Sequence, residues 1–115
     1  MYKIFIYFFA PFMAGLIPDY GHLDLISRHF KALGEPSRLL ILDLLHRNGE
    51  LNVQELMEAS GLRQANLSKH LGILLETGIL KRRKEGVMAF YSIQDKSVQG
   101  LCLLAYNRLM LNRRG

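Results

Sequence analysis

Apolar residues recur at steps of three and four along most of the chain after residue 19, the spacing that places side chains on one face of an α-helix. The pattern predicts a first amphipathic helix ending near Gly34, a second helix over 36–47, a third over 53–60 and a fourth over 64–77. A last helix follows Asp95. The residues expected to face inward in the first and fourth helices are Leu23, Ile26, Phe30, Leu33, Leu67, Leu71, Leu74 and Leu75.

Local signals support these boundaries. Pro36 suits the first position of a helix, where its missing N–H costs nothing. Asn52 and Glu55 have the spacing of a capping box, and Gly61 supplies the turn into the fourth helix. The second helix is apolar nearly all round, so we expect it to be the central core helix. Its apolar residues are Leu39, Leu40, Ile41, Leu42, Leu44 and Leu45.

Two short segments, 79–84 and 87–93, have the composition of strands, and Gly86 between them provides the positive φ that a tight hairpin needs. The expected fold is mainly α with a small β-hairpin, in α-α-α-α-β-β-α order. Two short helices joined by a glycine turn and followed at once by a hairpin form a winged helix-turn-helix.

Charge is divided unevenly along the chain. Residues 1–62 carry five Lys/Arg against seven Asp/Glu, whereas residues 63–115 carry ten against three. Such a basic half indicates a surface for a polyanion, although a solvated basic surface is the simpler alternative. The sequence offers no glycine-rich phosphate loop, nucleophile elbow or converging catalytic set, so we do not expect an enzyme.

The fourth helix presents small polar groups that suit a DNA groove, because Gln and Asn pair with adenine, Ser donates or accepts, and Ala contacts the thymine methyl group. A solvated amphipathic helix would more often carry Glu and Lys there. The basic strand after it would contact phosphates, unless its charge only protects a sheet edge. For His70, packing is as good an interpretation as a base contact. The predicted DNA-binding residues are Arg63, Gln64, Ala65, Asn66, Ser68, Lys69, His70, Arg82, Arg83 and Lys84.

The segments LGEPSRLLILDLL, LRQANLSKHLGILLETGIL and RRKEGVMAFYSI together resemble the ArsR/SmtB-type transcriptional repressors over residues 33–111. The resemblance implies a winged-helix repressor that binds double-stranded operator DNA as a homodimer through its first and last helices. It also implies an inducer, often a metal ion, that weakens operator binding.

The chain departs from that family where inducers bind. Cysteines of the soft-metal sensors are replaced, and of the last-helix metal ligands only Asp95 remains, which we interpret as a helix cap. The replacing residues are Asn52, Gln54, Met57, Ser97, Arg108 and Leu111. We therefore expect no metal cofactor at these places and leave the inducer unknown. A basic residue usual after the wing glycine is Val87 here.

Other sensors are weaker candidates. Asp19, His22, Asp24 and His29 cluster near the first helix, but exposed polar residues explain them as well as a metal site does. The single cysteine, Cys102, lies on the apolar stripe of the last helix. It is either a packing residue or a redox switch at a dimer axis. A thiol-responsive regulator and a winged-helix protein-interaction module that never binds DNA are therefore the alternatives to an operator-binding repressor.

Residues 1–18 form an apolar extension ahead of the winged-helix domain, 19–115. Its uncharged run from Ile4 to Ile17 would span about 21 Å as a helix, short of a bilayer core of roughly 30 Å, so we expect no stable membrane insertion. A start codon placed too early, an apolar arm on a dimer and a membrane-touching tail all fit it. One cysteine fits a reducing cytoplasm.

Overall fold

The computed structural model describes residues 15–114, without the side chain of Arg114. The elements are α1 (Leu23–Leu33), α2 (Pro36–Asn48), β1 (Leu51–Asn52), α3 (Val53–Ser60), α4 (Gln64–Glu76), β2 (Leu80–Glu85), β3 (Met88–Ile93) and α5 (Ser97–Arg114), with a short 3-10 turn at Tyr20–His22. The predicted order of helices and hairpin is confirmed. Most of the apolar extension, residues 1–14, lies outside the described residues.

The chain divides into two compact units, 1–31 and 32–115. In the first unit Asp19 caps the 3-10 turn by accepting from the Gly21 N–H at 2.9 Å. Leu23 and Phe30, predicted to face inward, are about half exposed. Apolar periodicity identified the helix but not a surface that covers it. Across the described residues, no helix has both the length and the apolarity needed to cross a bilayer.

The second unit is built on a core of side chains from α2, α3, α4 and the sheet. Its fully buried large residues are Ile41, Leu45, Leu56, Leu67, Leu71, Leu74, Ile79 and Val98. The helix α2 contributes Ile41, Leu42 and Leu45 to the core, as expected of a central helix, but its Leu39 and Leu40 are about 40% exposed. The predicted starts are confirmed: Pro36 opens α2, and the Asn52–Glu55 capping box opens α3 with both reciprocal hydrogen bonds, at 2.8 and 2.9 Å.

The hairpin belongs to a three-stranded antiparallel sheet in the order β1-β3-β2. The strand β1, which pairs Leu51 with Tyr91, was not predicted, because a strand of two residues shows no alternation. Gly86 has the predicted positive φ, 61°. Val87, predicted to open a strand, lies in the turn instead. β2 packs against α4 and β3 packs against α2, so the wing and the fourth helix are held on one framework.

Candidate nucleic-acid interface

The fourth helix begins at a sharp turn. Gly61 ends α3 in the left-handed conformation, with φ 75°, and its N–H donates to the Met57 carbonyl. Arg63 then occupies the N-cap of α4 without a side-chain capping hydrogen bond. The first backbone N–H groups of α4 therefore receive no side-chain acceptor from the N-cap residue. A phosphate is the type of acceptor that favours such a helix start.

On α4 the predicted DNA-binding residues other than His70 lie on the exposed face. Leu67, Leu71 and Leu74 are buried at 2% exposure or less, which fixes the orientation of the helix. The residues left exposed in its first two turns are Gln64, Ala65, Asn66, Ser68 and Lys69. Four of these five are uncharged and short enough for the helix backbone to approach base edges closely.

His70, listed among the predicted DNA-binding residues, does not share that face, which favours the packing interpretation over a base contact. His70 is 7% exposed, and among the described residues it is the one polar or charged residue that is buried. Its Nδ1 lies 3.1 Å from Nη1 of Arg38, and its Nε2 lies 3.8 Å from Oε2 of Glu35. Because a guanidinium only donates, Nδ1 must accept, and the ring proton of neutral His70 is then on Nε2.

Arg38, which is partly buried, completes this group by donating through Nε to the Ala32 carbonyl at 2.6 Å. Glu35, at the N-cap of α2, accepts from the Arg38 N–H at 3.0 Å. The group thus ties the end of α1, the start of α2 and the middle of α4. Sequence reasoning missed it, because Arg38 and His70 are 32 residues apart and no local pattern links them.

The wing presents its cations on both faces of the sheet. Arg82 pairs with Tyr91 and Lys84 with Ala89 in the β2–β3 register, so both lie on the face that carries the buried Leu80 and packs on the helices. Lys81 and Arg83 lie on the opposite face. Lys81, Arg82, Arg83 and Lys84 are all exposed. Because the four cations divide between two faces, only some of them can reach the same phosphates.

Arg83 has carboxylate partners that the sequence did not suggest. Its Nε and Nη2 donate to the two carboxylate oxygens of Glu50, at 3.2 and 2.8 Å, and its Nη1 donates to Oε2 of Glu85 at 2.6 Å. The guanidinium also lies over the Phe90 ring, 4.6 Å from its centroid. Hydrogen bonding to these carboxylates raises the pKa of Arg83, and the bond to Arg83 lowers the pKa of Glu50 below 4.5. These donors therefore point at carboxylates, not at the solvent where a phosphate would lie.

The turn of the wing is apolar. Val87 is fully exposed and Met88 is 41% exposed, whereas the neighbouring strand carries the charge. The cationic part of the wing is therefore its strand and not its tip.

The positions that hold inducers in the resembling family have other contacts in this chain. Asn52 caps α3, and Gln54 donates to Glu58 at 3.0 Å. Asp95 accepts from the Ser97 N–H and hydroxyl, as its predicted cap role requires. Arg108 donates to Asn112. Over residues 15–114, no three His, Cys, Asp or Glu side chains are grouped closely enough to hold a metal ion; His22 pairs with Asp19 at 3.0 Å.

Cys102 is partly buried and packs against the core together with other partly buried residues. Burial raises the pKa of its thiol above 9.0. A raised pKa reduces the thiolate fraction at neutral pH, which is the reverse of what a reactive cysteine requires.

Comparison with known proteins places these features in a wider group. A family model described as bacterial regulatory protein, arsR family, matches residues 35–82. An uncharacterized HTH-type transcriptional regulator of Methanocaldococcus jannaschii is 44% identical over 75 residues, covering 65% of this chain and 84% of that protein. The arsenical resistance operon repressor of Bacillus subtilis is 36% identical over 75 residues, covering 65% of this chain and 71% of that protein.

Among solved structures, the homodimeric winged helix-turn-helix DNA-binding domain Mb0332 of Mycobacterium bovis aligns with a TM-score of 0.66 at 32% identity. The match covers 82% of this chain and 84% of that one. It supports the winged helix-turn-helix assignment, with α3 and α4 as the two helices of the motif and β2–β3 as the wing.

Proposed function

Because this chain belongs to the arsR family of bacterial regulatory proteins, we propose that it is a homodimeric repressor that recognises a pseudo-palindromic operator with α4. It is a DNA-binding transcriptional regulator with a winged helix, and relatives of the chain are repressors. Residues of α4 would select the sequence, and the wing would supply affinity from the phosphates. We place this action in the cytoplasm, where the operator DNA of a bacterial regulator lies.

The observation that carries the proposal is the composition of the exposed face of α4. Gln64, Asn66 and Ser68 stand exposed on a helix whose opposite side is locked by buried leucines. Lys69 and the N-cap Arg63 add positive charge beside them. Such a face pairs with base edges in the major groove, while cations at its border bind phosphates.

The dimer rests on exposed apolar side chains. Among the described side chains of α5, Val98 alone is fully buried, and Cys102 is partly buried. The large apolar residues of α5 that stay 38–69% exposed are Leu101, Leu103, Leu104, Tyr106, Leu109 and Leu111. So large an apolar surface on a charged chain marks an interface between proteins. A second copy would place two α4 helices about 34 Å apart, on successive turns of DNA.

The inducer is not assigned. Asn52, Gln54 and Ser97, three of the residues at the family's soft-metal and last-helix positions, are engaged in capping or side-chain hydrogen bonds. This supports a repressor that does not use those two metal sites. The raised pKa of Cys102 disfavours the thiol-responsive alternative.

The proposal is tested with a duplex selected by the protein from a random pool, compared with a scrambled duplex of equal length. Gln64→Ala should weaken binding to the selected duplex about tenfold or more, since a bidentate base contact contributes about 1–3 kcal/mol of discrimination. Its affinity for the scrambled duplex should change less than about twofold, because no phosphate contact is lost.

Gln94→Ala is the matched control, since Gln94 is also exposed but follows the wing. It should leave both affinities unchanged. Equal losses on the two duplexes for Gln64→Ala would remove the base-contact role. Wild-type protein that shows no salt-sensitive binding to any duplex would instead favour a protein-interaction module.

A further inference from the structure

Arg83 crosses the sheet to reach its main partner. β3 lies between β1 and β2, and Glu50 is the residue that precedes β1. The guanidinium starts from β2, covers the Phe90 ring of β3 and ends on Glu50 at the far edge. In the β2–β3 register Arg83 is opposite Phe90, so strand pairing itself aims the arginine across the sheet.

The contacts use all three nitrogens of the guanidinium. Glu50 accepts from two of them as a fork, and Glu85 accepts from the third. Bidentate charge-assisted pairs are among the stronger polar contacts in proteins, and their geometry is restrictive. A DNA phosphate approaching Arg83 would have to replace a carboxylate that is already in place.

Two carboxylates also change the charge of the wing. Lys81, Arg82, Arg83 and Lys84 form four adjacent cations in the sequence, but Glu50 and Glu85 both lie against the third. Glu50 comes from a position 33 residues earlier, so the sequence run overstates the positive charge offered to DNA.

Resting on the proposed DNA-binding function, we propose that Glu50 is an internal counter-anion that holds Arg83 away from the phosphates and limits sequence-independent affinity. Glu85 assists from the same strand. Wing contacts to DNA then come from Arg82 and Lys84 on the other sheet face. The contact between Glu50 and Arg83 leaves discrimination to α4, because a phosphate contact contributes equally to binding of every DNA sequence.

The test measures affinity for a scrambled duplex between 50 and 200 mM KCl. Glu50→Gln frees Arg83 for one more phosphate, so the slope of log K against log salt should steepen by about 0.9. That slope corresponds to tighter binding of about tenfold at 50 mM and about threefold at 200 mM. Affinity for the selected duplex should rise by about the same factor, because a phosphate contact is independent of sequence, so discrimination should stay unchanged.

Glu58→Gln is the matched control. It removes the same charge from an exposed glutamate whose contact is with neutral Gln54, so it releases no cation. Its slope should equal that of the wild type. In an Arg83→Ala background, Glu50→Gln should lose its effect on the slope. Equal slopes for Glu50→Gln and Glu58→Gln would overturn the inference. It would also be overturned if Arg83→Ala alone flattened the slope by about 0.9, because Arg83 would then already bind a phosphate in the wild type.

A second measurement needs no DNA. The carboxyl pKa of Glu50, followed by NMR, should lie below 4.5 in the wild type and rise towards it in Arg83→Met. If the Glu50 pKa is the same in both proteins, the ion pair between Glu50 and Arg83 is not formed in solution and the inference is wrong. Wild-type protein with the predicted Glu50 pKa but no affinity for DNA would overturn the proposed function separately.

Discussion

Replacement of His70 by leucine separates the packing role that the structure gives this residue from the base contact that the sequence allowed. The imidazole is 7% exposed and accepts from Arg38 at 3.1 Å. A hydrogen bond to a charged donor contributes about 1.5–3 kcal/mol. Arg38 is only part-buried, so water can partly replace the lost acceptor, and the lower end of that range applies. Leucine is similar in volume and leaves little cavity.

We therefore expect His70→Leu to lower the free energy of unfolding by about 1–2 kcal/mol. In urea denaturation at fixed protein concentration the midpoint should fall by about 0.5–1 M. Operator discrimination, the ratio of affinities for selected and scrambled duplexes, should stay within about twofold of the wild type, because the ring does not face the groove.

His46→Leu is the control, since His46 is exposed on α2. A substitution of that kind should change stability by less than about 0.5 kcal/mol. The reasoning fails if His70→Leu is as stable as the wild type and yet loses discrimination as Gln64→Ala is expected to. That result would mean that His70 turns outward when DNA binds.

Two further predictions concern α5. Leu104 is 69% exposed in the single chain, and Leu104→Glu should convert a dimer into a folded monomer in light scattering and abolish operator binding. The control Gln94→Glu should change neither. A dimer that persists in Leu104→Glu would exclude Leu104 from the interface. Because burial raises the Cys102 pKa above 9.0, its alkylation by iodoacetamide should be slower at pH 7 than that of a model thiol and should accelerate only as the pH rises through the raised pKa. Rapid alkylation at pH 7 would contradict this environment and restore the redox alternative.

Local signals account for the parts of the fold that the sequence predicted. Proline at a helix start, a capping box and a glycine with positive φ act within a few residues, and all three occur where expected. β1 escaped prediction because it consists of two residues and is defined by its pairing with β3. The exposure of Leu39 and Leu40 was not predicted either, because periodicity identifies apolar positions but does not show which side chains cover them.

The candidate interface likewise has a part that local sequence signals predict and a part that depends on residues distant in the chain. The exposed face of α4 follows from helical spacing, since buried Leu67, Leu71 and Leu74 determine which residues point outward. The state of Arg83 and His70 depends on Glu50 and Arg38, which are 33 and 32 residues away in the chain. No local pattern encodes such pairs. For this reason the sequence did not predict that Arg83 contacts Glu50 or that His70 contacts Arg38.

The positive half of the chain is consequently a poor measure of its DNA-facing charge. Arg83 is paired with carboxylates, and Arg108 belongs to α5 and donates to Asn112. Non-specific affinity depends on the number of phosphates neutralised, so each cation withheld lowers it on every sequence alike. Base contacts are unaffected by such withholding. A regulator built in this way lowers its affinity for all DNA by limiting its wing and leaves discrimination to α4, so Glu50→Gln should tighten binding to the selected and scrambled duplexes by about the same factor.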